Sequence, residues 1–409
     1  MRCLCCRASN KCRRNYFLST AAFGLEKTAR AVYSIPMTTN VALAKCGEYD
    51  FEKVYVALKE LTRLAPPPDP RGKTVLIKPN ILYPRKPEDC VCTNPVVVGA
   101  LVKIFVELGA KKVLAGESPA VANSTSAARA SGILEQVEKN GGEWVDFHDK
   151  VQVECPEGKR ARSFDFAAAF SQADILVSAA KLKSHQLMKY TGAMKNLFGL
   201  MIGLEKAQCH YRFSSQREFG EFLTDLNLAA KAQYAVMDAI VGMDGPGGPG
   251  SGDPIQLGFM AASDNILALD WVCSSLVGYK PQAVENLRDA LERKVWLDSA
   301  EQIKILGASF DECANKNFRI VKDGSADFSA MLPGWLDGLA KFVFTRTPHF
   351  HQKKCVKCGR CAQICPAHIV EMSGKDGKAV LTDWKKCLHC FCCHEICPQK
   401  AISLRRFIH

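Results

Sequence analysis

The sequence predicts an α/β fold, a mostly parallel sheet with covering helices, followed by a small C-terminal α+β unit. Three observations predict it. From residue 37 onward, short apolar β-rich runs alternate with helical patterns. The helical stretches carry their own start and stop signals. Over residues 350–409 two matching cysteine runs replace that alternation.

"NVALAKC" (40–46) reads as the first strand. In "YDFEKVYVALKELTRL" (49–64), Val54, Ala57, Leu58, Leu61 and Leu64 fall on one helical face, and Asp50 is placed to cap it. "KTVLIKPN" (73–80) is β-rich. Asn94 and Pro95 then supply an N-cap and a first-turn proline for a helix that runs to Gly109. "KKVLAGES" (111–118), "ADILVSAAKLK" (173–183), "QYAVMDAIVGM" (233–243) and "IQLGFMAAS" (255–263) follow as strands, with helices such as "SQREFGEFLTDLNLAAK" (215–231) between them. Alternation of this kind puts parallel strands under helices.

Composition narrows the class. With 47% hydrophobic and 23% charged residues, the chain reads as globular. No uncharged apolar run is long enough to span a bilayer, so no membrane span is expected. The net charge of +12 lies at the two ends and leaves the long middle close to neutral, which argues against a nucleic-acid surface there. Nine of the twenty cysteines crowd into residues 355–397 at metal-ligand spacing, so a reducing, cytoplasmic setting is expected. Residues 1–36 read as a non-structural extension, with Met37 as a functional start. Its paired Arg13 and Arg14 before an apolar stretch keep a weak export signal as the competing reading.

The cysteine runs are C-x2-C-x2-C-x3-C-P twice over: Cys355, Cys358, Cys361 and Cys365, then Cys387, Cys390, Cys393 and Cys397. In this spacing three thiolates wrap one iron-sulfur cube and the fourth reaches the other cube. Two 4Fe-4S clusters are therefore expected, one on Cys355, Cys358, Cys361 and Cys397, the other on Cys387, Cys390, Cys393 and Cys365. Zinc would use these thiols as two pairs and leave four without a role. Pro366 and Pro398 end each run, and "HIVEMSGKDGKAVLTD" (368–383) reads as strand, turn, strand. Cys392 stands outside the pattern, either as a packing residue or as a register-shifted ligand. Lys353, Lys354, Lys357, Arg360, Lys385, Lys386, Arg405 and Arg406 either offset the negative cubes and favour an acidic redox partner, or form a solvated basic face.

Open parallel sheets bind ligands beyond the carboxyl ends of their strands. Polar groups collect at those ends: Lys78 and Asn80, Glu117 and Ser118, Lys183 and His185, and Asp244. Between Asp174 and Glu205 the chain has no acidic residue but carries Lys181, Lys183, His185, Lys189, Lys195 and Asn196, a positive field suited to a carboxylate or phosphate. Lys183, His185 and Lys195 are the candidate catalytic residues. Lys78, Asn80, Glu117, Ser118, Lys181, Lys189, Asn196 and Asp244 are the candidate binding residues. "GPGGPGSG" (245–252) reads as a loop, either closing over a ligand or simply connecting. No G-x-G-x-x-G follows a strand into a helix, so no dinucleotide fingerprint is present.

Taken in order, "VLIKPN", "TNPVVVGALVKIFVELGAKKVLAGES", "KLKSH", "YTGAMKNLFG" and "GMDGPGGPGSGDPIQLGFMAASDNILALDWV" resemble the domain of unknown function 362 family, over about residues 40–300. Residues 350–404 resemble a bacterial-type two-cluster ferredoxin, which that family often carries. The resemblance implies an iron-sulfur protein with an α/β domain and names no reaction; "CVCTNP" departs from the pattern and leaves Cys90 and Cys92 as local features or an extra thiol site. A likeness to the N-terminal domain of nickel-pincer lactate racemases is at the level of fold. The expected organisation is an extension (1–36), an α/β domain (37–330), a linker or helix (331–349) and the iron-sulfur domain (350–409). Three functions stay open. They are a redox enzyme with a small anionic substrate at the rim, an electron carrier or assembly protein whose α/β domain docks a partner, and a non-redox isomerase or metallocofactor domain with structural clusters.

Overall fold

The alternation of the sequence becomes a mixed sheet, nine-stranded among the described residues, whose central strands are parallel. The computed structural model describes residues 38–321 and 346–405, so the extension and residues 331–345 of the linker lie outside it. The strand order is β11 (Ile303–Gly307), β1 (Thr39–Lys45), β10 (Asp253–Ser263), β9 (Tyr234–Asp244), β7 (Ile175–His185), β2 (Thr74–Pro79), β3 (Lys112–Ala115), β4 (Glu143–Trp144). Strand β8 (Lys189–Thr191) turns back onto β7. From β9 to β4 every neighbouring pair is parallel, whereas β10 runs antiparallel to both β9 and β1. Residues 245–252 are too few for a crossover, so β9 and β10 must pair as a hairpin. A separate hairpin is formed by β5 (Lys150–Glu154) and β6 (Ser163–Ala167).

Local chemistry sets the helix ends. The Asp50 side chain accepts from the Lys53 N–H at 3.0 Å and starts α1 (Phe51–Leu64), which buries Val54, Ala57, Leu58 and Leu61. Asn94 accepts from the Val96 N–H at 3.0 Å and starts α2 (Pro95–Glu107), which ends where Gly109 adopts φ +87°. Helices α3 (Ser124–Ala130), α4 (Ile133–Lys139), α5 (Ala193–Asn196) and α6 (Glu205–Arg212) follow. Helix α7 (Gln216–Ala230) begins with a reciprocal Ser215–Glu218 capping box, and α8 (Ile266–Leu276) follows β10.

Two apolar layers hold the sheet, as period-two side chains require. Val75 and Ile77 of β2 face a core shared with α1 to α4, while Leu76 between them faces the core shared with α7 and α8. At roughly 25 cal/mol per Å² of buried apolar surface, such a doubly covered sheet is the main source of stability.

The C-terminal unit pairs β12 (Thr347–Phe350) with β15 (Ile402–Arg405), and β13 (Val370–Glu371) with β14 (Val380–Leu381); the second pair is the strand-turn-strand read from the sequence. Its apolar residues, among them Ile364, Ile369 and Ile396, join the core that covers α1 and α2. The described residues of both parts belong to one compact unit.

The Gly/Pro-rich segment 245–252 lies in the seam between these parts. The Tyr83 hydroxyl donates to the Gly250 carbonyl at 2.8 Å, Arg85 Nη2 to the Pro398 carbonyl at 2.6 Å, and Lys400 Nζ to the Gly252 carbonyl at 3.0 Å. A Cβ on Gly250 would stand 2.1 Å from the Glu395 carbonyl oxygen, so the iron-sulfur unit approaches too closely for any other residue.

Candidate functional site: two thiol-lined cavities and a buried lysine rim

The two cysteine runs fold as a structural repeat. Lys357 and His389, Gly359 and Phe391, and His368 and Lys400 occupy matching places in the two runs, and all six have positive φ. Each run therefore curls left-handed at the same steps and turns its thiols inward, before a short helix, Arg360–Ile364 or Cys392–Glu395. Cys355, Cys358, Cys361 and Cys397 line one cavity, with Phe350, Met372 and Ile402 in its walls. Cys365, Cys387, Cys390 and Cys393 line a second, with Ile369, Val370 and Phe391. Each cavity thus takes three thiols from one run and the fourth from the other.

The donor chemistry fits a cubic iron-sulfur cluster in each cavity. Four thiols stand around an apolar space, and no three His, Cys, Asp or Glu side chains among the described residues converge as a single-ion site. Burial, with Cys397, Cys358 and Cys355 beside it, pushes the Cys361 thiol up to about 11. Thiolates so close together need a cationic centre to form. The backbone N–H of Ala401 reaches Cys397 Sγ at 3.2 Å, a hydrogen bond of the kind that tunes such sulfurs. Cys392 is buried outside both cavities, its thiol held protonated by its contact with Cys390 and by burial.

The parallel strands β2, β3 and β7 deliver the predicted rim residues to one edge. Lys78 at the end of β2 is paired with Glu117 just beyond β3, and its Nζ also donates to Asn196 Oδ1 at 3.1 Å and to the Pro79 carbonyl at 2.7 Å. Asn80 Nδ2 donates to the same Asn196 oxygen at 3.2 Å, and Lys183 Nζ donates to Asn80 Oδ1 at 2.6 Å and to the Val91 carbonyl at 2.8 Å. Lys78, Asn80, Glu117, Lys183 and Asn196 therefore form one network. Gly199 lets it close, since a Cβ there would lie 2.0 Å from Glu117 Oε1.

Electrostatics separate the lysines. Burial, joined by the positive charges of Lys195 and Lys181, lowers Lys183 to about 7 against the opposing pull of Cys92 and Glu395. Lys195 is lowered by burial and by Lys78, with Glu395 and Cys392 acting the other way. Lys206, which donates to the Met201 carbonyl at 2.9 Å and contacts the Ser118 carbonyl, is lowered by burial to about 8. Ammonium groups near neutrality can hold or release a proton at working pH.

His185 is fully buried at the end of β7. Its Nδ1 accepts from the backbone N–H of Leu187 at 3.1 Å and of Met188 at 3.2 Å, which leaves the ring neutral with its proton on Nε2. Burial and the neighbouring Lys195 also disfavour the charged ring. Its Nε2 stands 3.4 Å from Glu395 Oε1, a carboxylate carried by the iron-sulfur unit between Cys393 and Cys397.

Other predicted residues take separate places. Lys181 Nζ donates to Asp238 Oδ2 at 2.9 Å and to the Tyr49 hydroxyl at 2.7 Å, in a closed buried set beneath the rim. The Asp244 carboxylate is taken by Arg319, at 2.5 Å from Nη2 and 3.0 Å from the backbone N–H. Lys189 donates to the Ala283 carbonyl at 2.7 Å from the β8 hairpin. The Ser118 hydroxyl accepts from the Gly203 N–H at 2.9 Å. Cys90 and Cys92 are buried, and their thiols face the Glu88 and Tyr83 carbonyls.

Sequence reasoning missed Glu395, Tyr49, Asp238 and His210. Asp238 had a signal, a lone acid inside an apolar strand. Glu395 had none, because the x3 interval of a cysteine run accepts any residue. His210 is buried and stacked on Phe219, with ring centroids 4.2 Å apart, and burial lowers it to about 3.

Comparison with known proteins fits this arrangement. Residues 75–275 match the model for the domain of unknown function 362, and residues 339–404 match a 4Fe-4S dicluster domain. A thylakoid-associated protein of Synechocystis sp. is 30% identical over 224 residues, which cover 53% of this chain and 66% of that protein's length. Two solved structures align in part. One is a structural-genomics protein from Thermotoga maritima, with TM-score 0.37 and 11% identity over 62% of this chain and 61% of that one. The other is the lactate racemase apoprotein from Thermoanaerobacterium thermosaccharolyticum, with TM-score 0.36 and 14% identity over 57% of each. No helix among the described residues is long and apolar enough to cross a membrane. The chain thus carries a domain of unknown function 362 over residues 75–275 and, C-terminal to it, a 4Fe-4S dicluster domain over residues 339–404.

Proposed function

We propose that this protein is an iron-sulfur redox protein in which two 4Fe-4S clusters exchange electrons with a small anionic substrate bound at the α/β rim, and that it works in the reducing cytoplasm. Cys355, Cys358, Cys361 and Cys397 would hold one cluster, and Cys365, Cys387, Cys390 and Cys393 the other. Bound there, the clusters supply one-electron transfer. The observation that carries the reading is the placement of Glu395, which sits between two cysteines of the second run and reaches His185 at the rim. Cluster shell and rim are therefore in contact, so electrons have a short path between them. Lys195 and Lys183 would hold the anion, and Lys183, lowered to about 7, would give or take a proton.

The test is anaerobic purification with iron and acid-labile sulfide counting, then turnover with candidate anions. Variants Lys183→Met, His185→Ala and Lys195→Met should lose turnover and keep the cluster absorbance. Unchanged turnover in all three would remove the rim from the reaction.

A second reading, an electron carrier that docks an acidic partner, draws on the surface near the first cavity. Cys358 is exposed there, flanked by exposed Lys353, Lys354, Val356 and Lys357. Association that weakens steeply with salt would support it, and salt-independent association would count against it.

A further inference from the structure

The seam between the rim and the iron-sulfur unit gathers polar groups that the protein leaves without partners. The Nε2–H of His185 is buried and has no hydrogen-bond acceptor, and Glu395 Oε1, 3.4 Å away, is buried and has no donor. Lys195 makes no hydrogen bond or ion pair among the described residues, although it lies within the field of Glu395. Lys183 uses two of its three N–H donors, on Asn80 and Val91. Lys195, Asn80 and Gly199 are partly exposed, while Lys78, Lys183, His185 and Asn196 are buried. Each buried polar group without a partner costs about 1–3 kcal/mol, so several together mark a place built for something that pairs with them.

The kinds of partner decide what that something is. The ammonium forms of Lys195 and Lys183 and the neutral imidazole N–H offer donors, which an oxyanion satisfies. A carboxylate offers only acceptors. It repels a bare anion and rewards one that presents an O–H. We propose that this seam binds a small oxyanion that carries an O–H group, a hydrogenphosphate or a hydroxycarboxylate, with Lys183, Lys195 and His185 on its charged oxygens and Glu395 accepting its O–H. This rests on the reading of the rim as an anion site and adds a specificity-determining residue from the iron-sulfur unit. The site is complete only when both parts of the chain are docked.

The test is calorimetric titration of the anaerobically prepared, iron-replete full chain. Two probe pairs differ by one O–H each: inorganic phosphate against sulfate, and glycolate against acetate. In one pair the O–H member should bind at least about tenfold more tightly, the worth of one hydrogen bond to a charged group. The discriminating pair tells phosphate from hydroxycarboxylate. Glu395→Gln should bring that ratio close to one with iron content retained. If Glu395→Gln does not fold, Glu395→Asp, with its shorter reach, should still lower the ratio. Equal affinities within both pairs overturn the proposal, as does a ratio that survives both Glu395 variants. If Lys195→Met weakens all four probes while the ratio is one, the rim remains an anion site and the role of Glu395 falls. If no probe binds at millimolar concentration, both readings fall.

Discussion

His185 Nε2, at the carboxyl end of a central strand, stands 3.4 Å from Glu395 Oε1, which the iron-sulfur unit carries between two cysteine ligand positions. That contact joins the rim to the thiol-lined cavities and gives opposite signs to charges close to the second cavity. In the iron-replete protein, Lys195→Met should lower the midpoint potential of the cluster beside it by tens of millivolts, and Glu395→Gln should raise it. Removing a positive neighbour disfavours the more negative reduced state, and removing a negative one favours it. Potentiometric titration followed by electron paramagnetic resonance reads both, and shifts of the same sign would contradict the placement.

The seam should be sensitive to one methyl group. Gly250→Ala puts a Cβ 2.1 Å from the Glu395 carbonyl, whereas Gly47→Ala meets nothing within 4 Å. The first should destabilise by about 1–3 kcal/mol, the usual cost of overpacking, and expose the C-terminal unit to limited proteolysis. The second should behave as wild type in denaturant titration.

The Lys78–Glu117 pair is almost wholly buried, at 0% and 4% side-chain exposure. Lys78→Met alone leaves a buried carboxylate and should cost about 3–5 kcal/mol. Lys78→Met with Glu117→Leu should recover most of that loss. Chemical unfolding of the three proteins measures it, and a double variant no better than the single one would show that the neighbouring Asn196 contact dominates.

His210 gives the stability a defined pH response. Its folded value, lowered to about 3 by burial and by Lys195, lies well below the unfolded value of about 6.5. As pH falls through 6.5 the unfolded chain takes up the proton first. The contribution of the neutral ring is therefore fully present above 6.5 and is lost progressively down to about 3. His210→Phe, which keeps an aromatic ring against Phe219, should flatten the difference in stability between pH 7 and pH 5; an unchanged slope would mean that the ring is accessible to protons.

Among the C-terminal cysteines, Cys392→Ser should retain the wild-type iron content, while Cys393→Ser should lose about half of it, as loss of one of two clusters requires. Equal losses in both variants would mean that Cys392 is a ligand.

The sequence by itself determined the elements, their order, and the grouping of the eight thiols, because each of these follows from short-range spacing. Period-two and helical apolar patterns, Asp50 and Asn94 as caps, and C-x2-C-x2-C-x3-C-P are all written within a few neighbouring residues. It also brought Lys78, Asn80, Glu117 and Lys183 to one edge, since parallel strands end on the same side. Only the tertiary structure decided which charged groups would face one another. The irregularity in the β7–β9 pairing between Lys181 and Lys183 sends the two lysines to different partners, Arg319 takes up Asp244, and the hairpin carries Lys189 to Ala283. The meeting of Glu395 with His185 depends on how one unit seats on the other through the Gly250 loop, a contact between distant parts of the chain that no local pattern can express.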